Sequence, residues 1–211
     1  GEDENFLAAR AAWASGDVRK FEQAAAKVAP DHVLAPYIAY WKASRALEDD
    51  NAVADFLAAQ SGTWLAERMR AAWLKSLGKR ENWPAYLAEF SRLEKPETTH
   101  LCLARRAELA AGDRRGLKDA IGLWFSGRDL PATCTPLFEQ LFQQGLLGQE
   151  DVWKRLRLAL DAGNPGVAKS LLVLLSAESR PEAGAFDRIM RAPAEYLAQG
   201  VIDWSARPQR E

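Results

Sequence analysis

The sequence predicts an all-α protein, a curved α-solenoid or superhelix built from short antiparallel helix hairpins. Three observations carry that expectation. The first is composition: 38 Ala and 27 Leu stand against 8 Val and 4 Ile. Ala and Leu are strong helix formers, whereas the β-branched residues that favour strands are scarce. The second is periodicity, with apolar residues recurring at i, i+3, i+4 and i+7 along most of the chain. The third is punctuation. Helical stretches stop at Gly followed by a small polar residue in Ser15-Gly16-Asp17, Ala111-Gly112-Asp113 and Ala162-Gly163-Asn164, at separations of 96 and 51 residues. That spacing is irregular, which suits hairpins of drifting length, each packed only on its neighbours.

Phe6, Ala9 and Trp13 share one face of a first helix, which Ser15-Gly16 ends; Asp17 is placed to cap the next. Phe21, Ala24, Ala25 and Val28 line that second helix, and Pro30-Asp31 breaks it. Residues 31–48 read as a longer helix through Leu34, Tyr37, Ile38 and Trp41, with Pro36 in its first turn. Asp49-Asp50-Asn51 forms the next break. Val53, Phe56 and Leu57 mark a short helix to Gln60, closed by Ser61-Gly62. Leu65, Met69, Ala72, Trp73 and Leu77 line a helix expected to stop at Gly78. Asn82-Trp83-Pro84 opens another, expected to run to Lys95-Pro96.

The following helix carries Leu101, Ala104 and Leu109. Leu117, Ala120, Ile121 and Trp124 then give the cleanest helical spacing in the chain. Thr135-Pro136 opens a helix with Leu137, Phe138, Leu141 and Phe142 in phase. Val152, Leu156, Ala159 and Leu160 line the next. Asn164-Pro165 supplies an N-cap residue and a first-turn Pro for a helix reaching about Ser176. Beyond Pro181, Phe186, Ile189, Met190, Tyr196 and Leu197 suggest further short helices. Residues 1–190 read as one helical domain, and 191–211 as the start of a further helical segment.

Composition excludes several functions. Apolar residues make up 48% of 211 residues, enough for a substantial core and too many for a disordered chain. A net charge of −1 argues against a nucleic-acid groove, which needs clustered cations. No apolar run of about 18 residues exists to span a membrane as a helix. The polar start Gly1-Glu2-Asp3-Glu4 is no signal peptide and fits a processed N-terminus or an artificial boundary.

Chemical motifs are sparse. His32 and His100 have no metal-ligand spacing with either cysteine. His32 reads as a polar helix-start residue. No phosphate-binding glycine loop and no nucleophile elbow occur. No catalytic residue and no cofactor are therefore assigned. The eight tryptophans lie mostly in phase with aliphatic residues, which marks them as core wedges rather than a sugar-binding surface. Cys102 and Cys134 are compatible with two buried thiols in a reducing compartment or with a bridge in an oxidising one.

Residues 123–164 carry a more specific pattern. A Trp124-bearing helix leads to Gly127-Arg128-x-Leu130-Pro131-x-x-Cys134. Pro136-Leu137-Phe138 follows, then Trp153-x-Arg155-x-x-Leu158-Ala159-Leu160 and an Ala162-Gly163-Asn164 stop. This order and spacing resemble the N-terminal helical superhelix (U-type domain) of the soluble lytic transglycosylases. Lys154 stands where that family often has Gln. PYIAYWK at 36–42 and FLAAQSGTWLAERMRAAWLKSLGKRENWPAYLAEF at 56–90 extend the resemblance over roughly residues 4–190.

The resemblance implies a periplasmic protein of peptidoglycan turnover. Its parent enzyme would cleave the β-1,4 bond between N-acetylmuramic acid and N-acetylglucosamine without water, leaving a 1,6-anhydro end. It also implies a Cys102–Cys134 disulfide, closing a loop of about 33 residues and worth about 3–4 kcal/mol on the chain-entropy model. Glycan strands, other cell-wall enzymes and a C-terminal catalytic domain beyond this chain are the implied partners. Arg128, Lys154, Arg155 and Arg157 would meet anionic peptide stems; an ordinary solvated helix face accounts for the same charges.

The family's catalytic Glu-Ser motif is only faintly echoed by Glu178-Ser179-Arg180-Pro181 with Gly184-Ala185. The aromatic residue after Ser and the Gly-Leu-Met-Gln run are absent, and only 33 residues follow Glu178. The chain therefore reads as the non-catalytic part of such an enzyme. A tetratricopeptide-type interaction scaffold is the alternative; it explains the hairpins, predicts free thiols and does not predict the Gly-Arg-x-Leu-Pro-x-x-Cys crossing.

Overall fold

Short polar breaks divide the chain into helices, and a computed structural model describes residues 1–175 of it. Eleven α-helices and no strand occur among the described residues. The chain divides into two compact units, Gly1–Pro96 and Glu97–Glu211. The helices expected beyond Pro181, and Glu178 itself, lie outside the described residues.

The first unit holds α1 (Glu2–Ser15), α2 (Val18–Ala26), α3 (Ala35–Ser44), α4 (Asp50–Ala59), α5 (Trp64–Lys79) and α6 (Trp83–Phe90). Gly16 ends α1 at φ 75°, where its N–H donates to the Trp13 carbonyl and that of Asp17 to the Ala12 carbonyl. This satisfies two orphan carbonyls of the last turn, and only Gly adopts the conformation without a Cβ penalty. Asp17 then accepts from the Lys20 N–H at 3.0 Å and starts α2. The same pair of reverse bonds recurs at Gly112-Asp113 and Gly163-Asn164, with φ of 74° and 69°.

Phe6, Ala9, Phe21, Ala25 and Ile38 form the buried centre of α1–α3. Trp41 is its hub, with its ring 5.7 Å from Phe6, 6.1 Å from Trp13 and 6.4 Å from Phe21. The Arg45 guanidinium covers Trp13 at 4.5 Å and Phe21 at 5.0 Å. Farther along, Asp50 at the start of α4 accepts from the Trp73 indole at 2.8 Å and from both terminal nitrogens of Arg80, at 3.2 and 2.9 Å, joining α4 to α5. Arg70 meets Glu89 at 3.3 Å, joining α5 to α6.

Several expected boundaries differ. The helix expected over 31–48 spans only Ala35–Ser44. Residues 31–34 form turns instead, because the His32 ring captures the Leu34 N–H at Nδ1, 3.0 Å away. His32 is thus a buried turn pin, stacked 5.9 Å from Phe6, and not a helix-start residue. Gly78 lies inside α5; the left-handed stop falls on Glu81 at φ 56°, with the Asn82 N–H on the Leu77 carbonyl. The helix opened by Trp83 ends at Phe90, ahead of Lys95-Pro96, since the backbone N–H groups of Glu94 and Lys95 turn to Glu67 Oε1 at 2.9 and 3.1 Å.

The second unit holds α7 (Thr98–Ala110), α8 (Leu117–Gly122), α9 (Thr135–Gln143), α10 (Gln149–Asp161) and α11 (Pro165–Leu171). The helix expected to reach Ser176 tightens into a 3₁₀ turn over Leu172–Leu174. Likewise α8 stops at Gly122, so Trp124 sits just past it. Trp124, Leu137, Leu141, Val152, Trp153, Leu156 and Leu160 form the core, with the Cys102–Cys134 disulfide buried at its edge. The bridge joins α7 to the 3₁₀ turn Ala132–Cys134 that opens α9.

Candidate functional site

The residues of the Gly-Arg-x-Leu-Pro-x-x-Cys pattern fold into one crossing within the second unit. Trp124 is 2% exposed, and its indole N–H donates to the Asp151 carbonyl at 2.7 Å. Phe138 and Phe142 both meet it edge-on at 5.1 Å. Gly127 lies against α10 so closely that a Cβ there would overlap the Leu158 carbonyl group and come within 3.0 Å of Ala162 Cβ. Asn164 occupies the N-cap position of α11, but its side chain makes no cap bond. Its amide instead donates to the Gly127 carbonyl at 2.7 Å. A small residue, a reaching amide and an indole thereby lock three segments together.

Arg155 completes the crossing. It is 7% exposed, and its guanidinium lies 4.6 Å from the Trp124 ring centroid. Nε donates to the Ser126 carbonyl at 3.2 Å and Nη2 to the Arg128 carbonyl at 3.4 Å. Burial pulls its pKa down, opposed by the charge of Asp129, yet a guanidinium stays protonated at any ordinary pH. Its role is to hold the loop backbone. Of the four cations expected on a solvated face, Arg128, Lys154 and Arg157 are exposed and Arg155 is not. The reason is helical phase: Arg155 shares the buried face of α10 with Val152, Leu156 and Ala159.

Beside this crossing lies a groove of about 350 Å³, lined by Trp124, Phe138, Phe142, Asp129, Glu139 and Arg155 among others. No group of three or more His, Cys, Asp or Glu residues suited to a metal occurs among the described residues. No described helix is long and apolar enough to cross a membrane.

No family model matches the chain. Curated proteins do, all named soluble lytic murein transglycosylase. The soluble lytic murein transglycosylase of Salmonella typhimurium is 31% identical over 174 residues, covering 79% of this chain and 26% of that protein. The Escherichia coli K12 protein of the same name is 29% identical over 171 residues, with the same coverage. The chain is homologous to the soluble lytic murein transglycosylases. It spans about a quarter of the length of the curated relatives it matches.

Solved structures agree on the fold of this transglycosylase relative. The crystal structure of the 70 kDa soluble lytic transglycosylase from Escherichia coli matches 97% of this chain and 34% of its own, with TM-score 0.74 and 24% identity. An inactive mutant of the lytic transglycosylase Slt from Pseudomonas aeruginosa matches 93% of this chain and 32% of its own, with TM-score 0.71 and 26% identity.

Sequence reasoning also missed the exposure of one indole. Trp64, expected in the core with the other tryptophans, is 57% exposed at the first turn of α5. The available signal was its place directly after the Thr63 cap: helical side chains lean toward the N-terminus, and the first residue of α5 has no earlier turn beneath it. Trp73, Trp124 and Trp153 are buried as expected, and Trp13, Trp41 and Trp83 are half-buried; Trp204 lies outside the described residues.

Proposed function

We propose that this chain is the non-catalytic N-terminal portion of a peptidoglycan lytic transglycosylase. Residues 1–190 are assigned to its superhelical module and 191–211 to the segment after it, the part beyond Leu175 lying outside the described residues. The module holds glycan strands, or other cell-wall enzymes, near a catalytic domain that belongs to the longer parent protein. That parent cleaves the bond between N-acetylmuramic acid and N-acetylglucosamine to give a 1,6-anhydro end, and it works in the periplasm.

One observation carries the reading: 79% of this chain aligns with a named murein transglycosylase while spanning only 26% of it. The Cys102–Cys134 bridge supports an oxidising compartment such as the periplasm. It also weighs against the tetratricopeptide-type scaffold, which predicts free thiols. Lys154 and Arg157, exposed and three residues apart on α10, and exposed Arg128 are the cations available to anionic peptide stems. Arg155 is withdrawn from that role by its burial.

Incubating the 211-residue chain with purified peptidoglycan and resolving the soluble products tests the non-catalytic part of the reading. No anhydro-muropeptides are expected. Their release by the chain alone would overturn it.

A further inference from the structure

A large aromatic group left in water at a rigid position is the most conspicuous unassigned surface of the first unit. Trp64 is 57% exposed. Thr63 fixes it by accepting the Ala66 N–H at 3.3 Å, which sets the first turn of α5. The Tyr37 ring meets the indole edge-on at 6.1 Å, and Tyr37 itself rests 6.2 Å from Trp41, the core hub. Arg68, one turn after Trp64, places its guanidinium 5.9 Å from the Trp64 ring and 5.6 Å from the Tyr40 ring. Arg68 is exposed, and no ion pair ties it to a carboxylate among the described residues. The result is a preorganised aromatic platform with a guanidinium over its Trp64 and Tyr40 rings that meets no carboxylate among the described residues.

We propose that Trp64, Tyr37 and Arg68 form a glycan-binding platform, in which an N-acetylhexosamine ring lies on the exposed indole and a peptide-stem carboxylate meets Arg68. An indole face is apolar and electron-rich, and it pairs with the C–H-bearing face of a pyranose, which is apolar and weakly positive. A guanidinium offers two parallel N–H donors to a carboxylate. Murein carries both groups, sugar rings along the strand and carboxylates on the stems. Because Tyr37 and Thr63 already hold the indole, little side-chain freedom remains to be lost on binding. This assignment rests on the glycan-holding role proposed above.

The test is co-sedimentation of the 211-residue chain with purified sacculi, together with titration against soluble N-acetylglucosamine oligomers that lack stems. Trp64→Ala is expected to weaken binding to both by about tenfold, the loss of one stacked aromatic contact, with the far-UV spectrum unchanged. Arg68→Ala is expected to weaken binding to sacculi while leaving the stem-free oligomers unaffected. Leu7→Ala, another exposed apolar site, is expected to bind as the unaltered chain does. Unaltered chain that binds while Trp64→Ala binds equally well overturns the platform and leaves the glycan-holding role standing. Loss of binding in Leu7→Ala as strong as in Trp64→Ala overturns the platform as well, because it reports general stickiness. Failure of the unaltered chain to bind either ligand overturns both readings. Binding to sacculi only through retained protein, abolished when the sacculi are protease-treated, assigns the surface to a protein partner and overturns the glycan proposal.

Discussion

A methyl group added at Gly127 would collide with the Leu158 carbonyl of α10, so Gly127→Ala forces the crossing off its helix. The expected cost is about 1–3 kcal/mol, as for other overpacked sites, read as a lower urea midpoint. Asn164→Ala leaves the Gly127 carbonyl without its 2.7 Å donor, and about 1 kcal/mol should be lost. Neither role was visible in the one-letter code. Gly127 stood only as the first residue of the crossing motif, and Asn164 read as a cap. Both act on a residue 31 or more positions away, Gly127 on Leu158 and Asn164 on Gly127, and local rules do not reach that far.

Asp50 gives a pH signature at the same scale. The Arg80 guanidinium, then the Trp73 indole, hold its carboxyl below the usual carboxylate range. A depressed folded value means stabilisation that is complete above the ordinary carboxylate pKa and lost as pH falls through the folded one. The side chain is 41% exposed, so the contribution is at most about 1 kcal/mol. Asp50→Asn should lower the melting temperature at pH 7 and flatten its decline below about pH 4. An unchanged acid limb in thermal scans would count against the assignment.

Among the elements, helix ends were more legible than helix lengths. The stops at Gly16, Gly112 and Gly163 each take a left-handed φ with the same two reverse bonds, because local sterics make Gly the residue that adopts it without a Cβ penalty. Lengths failed where a side chain captured the backbone. His32 took the N–H that would have extended α3, and Glu67 took two N–H groups beyond α6. Paired substitutions separate the two kinds of glycine. Gly163→Ala places a Cβ at φ 69° and should cost about 1 kcal/mol or more. Gly122→Ala, at the end of α8 with open space around its Cβ position, should gain about 0.4–1 kcal/mol. Chemical denaturation of both variants gives the comparison directly.

For the whole molecule, the Cys102–Cys134 bridge closes a separation of 32 residues, and its removal should cost about 3–4 kcal/mol by the chain-entropy account. Hydrogen exchange of the reduced protein should show the loss in residues 97–175, with 1–96 retaining their protection. Thiol titration of the unfolded, unreduced chain should find no reactive cysteine.

The sequence by itself determined the helical class, the Gly stops and the order of motifs that relates this chain to the murein transglycosylases. Those properties live in backbone propensity and local sterics, which a few adjacent residues settle. Tertiary structure alone decided that Arg155 turns inward to hold a loop and that His32 pins a turn. It also decided that Asn164 braces a crossing 37 residues back and that Trp64, alone among the described tryptophans, faces water. Each of those outcomes depends on which side of a helix meets a neighbour, and that is set only when the helices pack.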